Sequence, residues 1–229
     1  MKTPVNKQTV SHHLAYNWWK YLLLAAFCFG LVDLIYTVTA YRTPEEKKVE
    51  FYVYGYADTD ALDAYMENVR QTQMSDMEEM RSILMLNDSS YGPLQLTTYL
   101  AAGEGDLYLL PRDNFLTLAG QGAFLPLEDD AELMELFSQA GVSLQAGWRK
   151  NNETGENHLY GIPQDKLPGL SAYCASINGY LCATVSGRND VNALKFMRIL
   201  AADTLTPSEA EKEESGTQAA PDAPSGGAE

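Results

Sequence analysis

An α/β domain behind one apolar segment of membrane length is the fold class this sequence predicts, and three observations predict it. Tyr21–Tyr41 is an apolar run interrupted by a single charge. Val49–Tyr56 (VEFYVYGY) alternates at period two with β-branched and aromatic residues, the pattern of a strand. Beyond it, turn clusters separate stretches of strand and helix periodicity in alternation, which is how a layered α/β domain is written.

Composition narrows the function classes. The 229-residue chain carries a net charge of −15, which argues against nucleic acid or an anionic lipid surface as the partner of the folded part. At 45% hydrophobic residues it is globular in character. Its three cysteines, Cys28, Cys174 and Cys182, suit neither a disulfide-dense scaffold nor a zinc site.

The organisation expected is a short cytoplasmic segment (1–20), a transmembrane helix or signal anchor (21–41), a linker (42–48), the α/β domain (49–203) and a disordered acidic tail (204–229). Tyr21–Tyr41 has the roughly 20 residues needed to span a bilayer core. Trp18, Trp19, Tyr36 and Tyr41 flank it as interfacial aromatics do. Asp33 interrupts it, at a cost of about 2.5–3.5 kcal/mol for a charge at mid-membrane. Either Asp33 makes a contact with another membrane protein, or the apolar core is only Tyr21–Val32 and Asp33 leans outward. Val38-Thr39-Ala40 offers the alternative of a signal-peptidase site. Phe27 before Cys28 is unsuited to a lipoprotein signal. Basic residues are balanced (Lys2, Lys7 and Lys20 against Arg42, Lys47 and Lys48) and do not set the orientation.

After the first strand, Asp58 or Thr59 caps a helix over Asp60–Leu86 with a break or bend near Thr72–Ser75. Asn87–Pro93 is a turn cluster, and Leu94–Ala102 reads as a helix. Gly103-Glu104-Gly105 then feeds a strand, Asp106–Leu110, and Pro111 opens a helical run, Asn114–Ala119, that ends at Gly120 and Gly122. Asp129 or Asp130 caps Ala131–Ala140. Two short strands follow around Thr154-Gly155, then a hairpin over Gly169–Val185 turning at Ile177-Asn178-Gly179, and a last helix, Val191–Ala202. With a three-residue loop the hairpin sets Cys174 opposite Cys182, within disulfide reach. A two-residue turn leaves them diagonal, as free thiols.

The order of these pieces resembles the extracellular solute-binding proteins of transporters. The likeness rests on four stretches: the Gly turn, Asp106 and its strand; the FLPLE return at Phe124–Glu128; Tyr160-Gly161-Ile162-Pro163; and the helix beginning SGRNDVNALKF at Ser186. It implies a three-layer sandwich like one lobe of a type 2 periplasmic binding protein. It also implies ligand contacts at the C-terminal strand ends, here Tyr56, Asp58, Pro111, Arg112, Asp113, Tyr160 and Pro163. Arg112 would meet an anionic group and the tyrosines would stack; alternatively Arg112 pairs with Asp113 or Asp129 and the tyrosines pack at an interface. Only about 27 residues separate Pro163 from the last helix, short of the roughly 50 a second lobe needs, so a two-lobed clamp is not expected.

Catalysis is not expected, and neither is a cofactor or metal. His158 is the one histidine outside the N-terminal segment, without a nucleophile partner, and no Ser-centred elbow or phosphate loop is present. The function implied is a membrane-anchored, extracellular, non-enzymatic binding or scaffold module, working with a transporter or another membrane protein. The alternatives are a sugar or peptide binder completed by a second chain, and a secreted enzyme.

Overall fold

The computed structural model describes residues 7–85, 91–175, 177–185 and 188–205. The chain divides into two units, Met1–Arg42 and Thr43–Glu229. The first is one helix, α1 (Lys7–Thr39), whose Ala15–Thr39 portion is long and apolar enough to cross a membrane.

The second unit is a mixed α/β domain around a five-stranded sheet, β2-β1-β3-β7-β6. Strands β1 (Lys48–Tyr54), β2 (Glu79–Met85) and β3 (Leu107–Pro111) are parallel. β7 (Gly179–Ala183) runs antiparallel to both β3 and β6 (Ile162–Pro163). A separate antiparallel pair is formed by β4 (Trp148–Lys150) and β5 (Asn157–Leu159), the two short strands expected around Thr154-Gly155.

The alternation read in Val49–Tyr54 divides two apolar layers. Val49, Phe51 and Val53 face one core together with Leu107, Leu109, Leu181 and Ala183. Tyr52, Tyr54, Tyr108, Leu110, Tyr180 and Cys182 face the other. Helices α2 (Thr59–Thr72), α5 (Ala131–Gln139) and α6 (Asp190–Thr204) cover the first core through Leu62, Met66, Leu133, Phe137, Phe196 and Leu200. Helices α3 (Gly92–Ala102) and α4 (Arg112–Gly120) cover the second through Leu96, Phe115 and Ala119. Helix, sheet and helix layers result, with the central strands β1, β3 and β7 buried on both faces, as strands covered from both sides are.

Two elements differ from expectation. The long helix over Asp60–Leu86 ends at Thr72, and its second half is β2. The spacing of Met77, Met80, Ile83 and Leu84 suits a helix, but all seven residues of Glu79–Met85 pair with β1. Asp63 holds the strand to α2, its Oδ1 accepting from both the N–H and the hydroxyl of Ser82 at 2.7 Å. Second, the described residues of Gly169–Val185 form no hairpin: the first half lies in the 3-10 turn Pro168–Ala172, and the return strand β7 inserts between β3 and β6. A strand already flanked on both sides has no edge left for Cys174. The tail expected from residue 204 lies, beyond Leu205, outside the described residues.

Candidate functional site

Parallel strands bring the loops that follow β1 and β3 to one edge of the sheet. Tyr56, after β1, is 72% exposed. Asp58 caps α2, its Oδ1 accepting from the Ala61 N–H at 3.1 Å. Pro111 ends β3, and Arg112 and Asp113 open α4 as exposed residues. Arg112 makes no ion pair with Asp113, Asp129 or any other described residue. Tyr91 and Leu94, at the start of α3, add exposed apolar surface at 72% and 67%; they were not singled out from sequence.

Tyr160 and Pro163 do not join this edge as accessible groups. Tyr160 is 2% exposed inside the second core, where its hydroxyl accepts from Asn151 at 3.4 Å. Pro163 is buried in β6 against Tyr180 of β7. The aromatic-Gly-apolar-Pro run is core because Gly161 packs against the Phe115 ring: a Cβ there would lie 2.8 Å from it.

The loop before β7 is clamped to the same edge. Buried Gln164 accepts from the Ile177 N–H at 3.0 Å and the Gly179 N–H at 3.4 Å, and its amide donates to the Ala175 carbonyl at 3.0 Å. Cys174 forms a bridge to Ala57. Replacing Gln164 by Ala strands these backbone groups and is expected to cost about 2 kcal/mol. Faster amide exchange at Ile177 and Gly179, read with a urea titration, checks it.

Cys174 and Cys182 are free and buried in different cores, on opposite sides of the sheet. Of the two readings, free thiols and not a disulfide hold: the chain crosses the sheet between them instead of folding back. Burial pushes the Cys174 thiol up to about 12 and Cys182 well above its ordinary value, so neither is a reactive thiolate.

At the opposite edge lies a charged cluster that sequence reading passed over. Glu50 is 3% exposed and Asp106 8%. Asp106 Oδ2 accepts from the Glu50 N–H at 2.8 Å, while the Glu50 carboxylate is held by Arg81 at 2.5 Å and Lys48 at 3.3 Å. Burial, then the Glu50 charge, pushes Asp106 up to about 7 against the pull of that N–H and of Lys48. Gly105 makes the approach possible. Its φ of +79° suits glycine, and a Cβ would lie 2.6–2.7 Å from the stacked rings of Tyr52 and Tyr108. The signal available in sequence was Glu50 itself, an acid within a strand whose neighbours on both faces are apolar.

His158 stands apart from both edges. Its Nδ1 lies 2.5 Å from Glu128 Oε1 and its Nε2 3.4 Å from Glu156. The hydrogen bond to Glu128 raises its pKa. Glu128 Oε2 also accepts from the Leu159 N–H, so the imidazole braces β5. Among the described residues no group of three or more His, Cys, Asp or Glu is placed to hold a metal ion.

No protein-family model and no curated protein matches the chain. Among solved structures it is similar to an extracellular solute-binding protein family 1 from Alicyclobacillus acidocaldarius, at 17% identity and a TM-score of 0.37, over 54% of this chain and 29% of that one. An uncharacterized protein from Listeria monocytogenes gives 17% identity and a TM-score of 0.40, over 51% and 28%. The N-glycan transport solute binding protein from Streptococcus pneumoniae gives 14% and 0.35, over 51% and 24%. The chain therefore spans between 24% and 29% of the length of these structures.

Proposed function

We propose that the chain is a membrane-anchored, extracytoplasmic binding module that acts without catalysis, by protein contact at the edge formed by the C-terminal ends of β1 and β3. Its partner is a transporter or another membrane protein. The observation that carries this reading is the exposure of Tyr56 and of unpaired Arg112 along one sheet edge. An arginine and an aromatic side chain are the residue types over-represented at protein interfaces. Support for the anchor comes from α1, whose Ala15–Thr39 portion meets the length and apolarity of a single span. On the catalytic side, the imidazole of His158 is engaged with carboxylates, and the buried thiols are held protonated.

Two measurements test it. Thermal unfolding of residues 43–205 is expected to be unchanged by sugars, amino acids and short peptides. A small molecule at a hundred times its Kd would add about 2.7 kcal/mol; stabilisation of that size would overturn the protein-contact reading in favour of a binder completed by a second chain. A photo-crosslinker at Arg112 is expected to trap a membrane protein in intact cells, while one at Gln139, at the end of α5, does not. Equal trapping from both positions would count against this edge.

A further inference from the structure

We propose that Asn178 is a site of spontaneous covalent modification: its side chain closes on the Gly179 nitrogen as a succinimide and reopens as aspartate or isoaspartate, at a pace set by Gln164. Asn178-Gly179 is the single Asn-Gly pair in the chain, and two separate structural demands write it. Asn178 takes a positive φ of 50°, a conformation that asparagine tolerates better than most residues. Gly179 begins β7 and is buried. A Cβ there would lie 2.7 Å from the Leu110 carbonyl oxygen and 2.9 Å from Ile177 Cγ1, so any side chain would displace the backbone of β3.

The pair that the fold requires is also a reactive one. The nitrogen of the residue after an asparagine can attack its side-chain carbonyl carbon, and a glycine, with no Cβ, leaves that approach open. One bond forms, from Gly179 N to Asn178 Cγ, and one breaks, from Cγ to Nδ2. The Gly179 N–H proton leaves with Nδ2 as ammonia. Water then adds to one of the two ring carbonyls, giving aspartate from one opening and isoaspartate from the other. Water is the only co-reactant. The Asn178 side chain is exposed and makes no hydrogen bond among the described residues.

The fold restrains the attack at one atom. The Gly179 N–H donates to Gln164 Oε1, and that bond must open before the nitrogen gives up its proton. At 3.4 Å it is longer than the roughly 2.7–3.2 Å of an ordinary N–H···O bond, whereas the same oxygen holds the Ile177 N–H at 3.0 Å. Gly179 is also the first residue of its strand, where local opening costs least. The site is therefore slowed and not shut off. Conversion adds a negative charge where Gly179 pairs with Pro111, one residue before Arg112. Isoaspartate also adds a backbone carbon between Ile177 and Gly179, the two residues whose N–H groups Gln164 binds.

The test incubates the full chain in detergent micelles at mildly alkaline pH and maps its peptides by mass spectrometry. Asn178 is expected to gain the mass of an amide-to-acid change, divided between aspartate and isoaspartate, at a rate proportional to hydroxide. Asn152, exposed in a turn but followed by Glu153, should remain unconverted over the same period, and Asn178→Gln should remove the product. Amide hydrogen exchange needs the same Gly179 nitrogen released and deprotonated. The slowing of conversion relative to the chain unfolded in guanidinium should therefore match the exchange protection of the Gly179 amide. Gln164→Ala should speed both by about fivefold, the scale of one hydrogen bond. Conversion in the unfolded chain but none in the folded one would overturn the site, and so would equal conversion at Asn152. Conversion unslowed by folding, with the Gly179 amide protected, would overturn the control by Gln164.

Discussion

Asp106→Asn is expected to flatten the pH dependence of unfolding between about pH 4 and 7 and to stabilise the domain at pH 8. The carboxyl of Asp106 is pushed up to about 7 in the folded chain, whereas an unperturbed aspartate titrates near 3.9. Between those values the folded state binds more protons than the unfolded state. The contribution of this carboxyl to stability is therefore greatest below about pH 4, falls as pH rises, and levels off above about pH 7. The whole step is on the order of 4 kcal/mol at 1.36 kcal/mol per pKa unit. Asparagine keeps an oxygen to accept the Glu50 N–H and has no charge to desolvate. Urea unfolding of both proteins from pH 4.5 to 8 checks it; parallel profiles would show that the buried carboxyl is not the titrating group.

Gly147→Ala is expected to destabilise by about 3 kcal/mol, the upper range for forcing atoms into a packed interior. A Cβ at this position would lie 1.9 Å from the Gly161 carbonyl oxygen and 2.8 Å from Leu159 Cδ1. A leucine tip can rotate away; a backbone carbonyl in the segment between β5 and β6 cannot. The Tyr160 N–H donates to the Gly147 carbonyl at 3.2 Å across the same contact, so the substitution strains both strands. Gly141→Ala, where a Cβ meets nothing within 4 Å, is the comparison for glycine loss without a clash, although its φ of +66° carries a cost of its own. Thermal unfolding should place Gly147→Ala well below it.

The layers were legible because both faces of β1 are written in its residues. Val49, Phe51 and Val53 on one side and Tyr52 and Tyr54 on the other need two covers, which means helices on both faces of a sheet. Helix ends were legible where a side chain makes them: Asp58 and Asp130 cap α2 and α5. β2 was not, since Met77, Met80, Ile83 and Leu84 follow the helical period and only the seven-residue register with β1 overrides it. The hairpin failed for a similar reason. Asn178 adopts a positive φ of 50° and Gly179 does not, and Gln164 binds the loop from a distant point in the chain, which no local pattern encodes. At the edge formed by the ends of β1 and β3, Tyr56, Arg112 and Asp113 were placed by strand order alone. Tyr160 and Pro163 were misplaced because a motif does not report which side of a strand is covered.

The position of β7 between β3 and β6 also sets a timetable for synthesis. β3 ends at Pro111, and the strand that closes its free edge ends at Ala183. At about 5–20 residues per second, that edge stays open for roughly 4–14 s after it is made. During this interval the chain presents Leu107–Leu110, four apolar residues with no charge among them, as an unpaired strand. Such an edge pairs with other chains when left uncovered. The need for a chaperone should therefore be greatest before Ala183 emerges and should fall once it has, so a nascent chain stalled near residue 150 should be markedly more prone to aggregate than one stalled past residue 205.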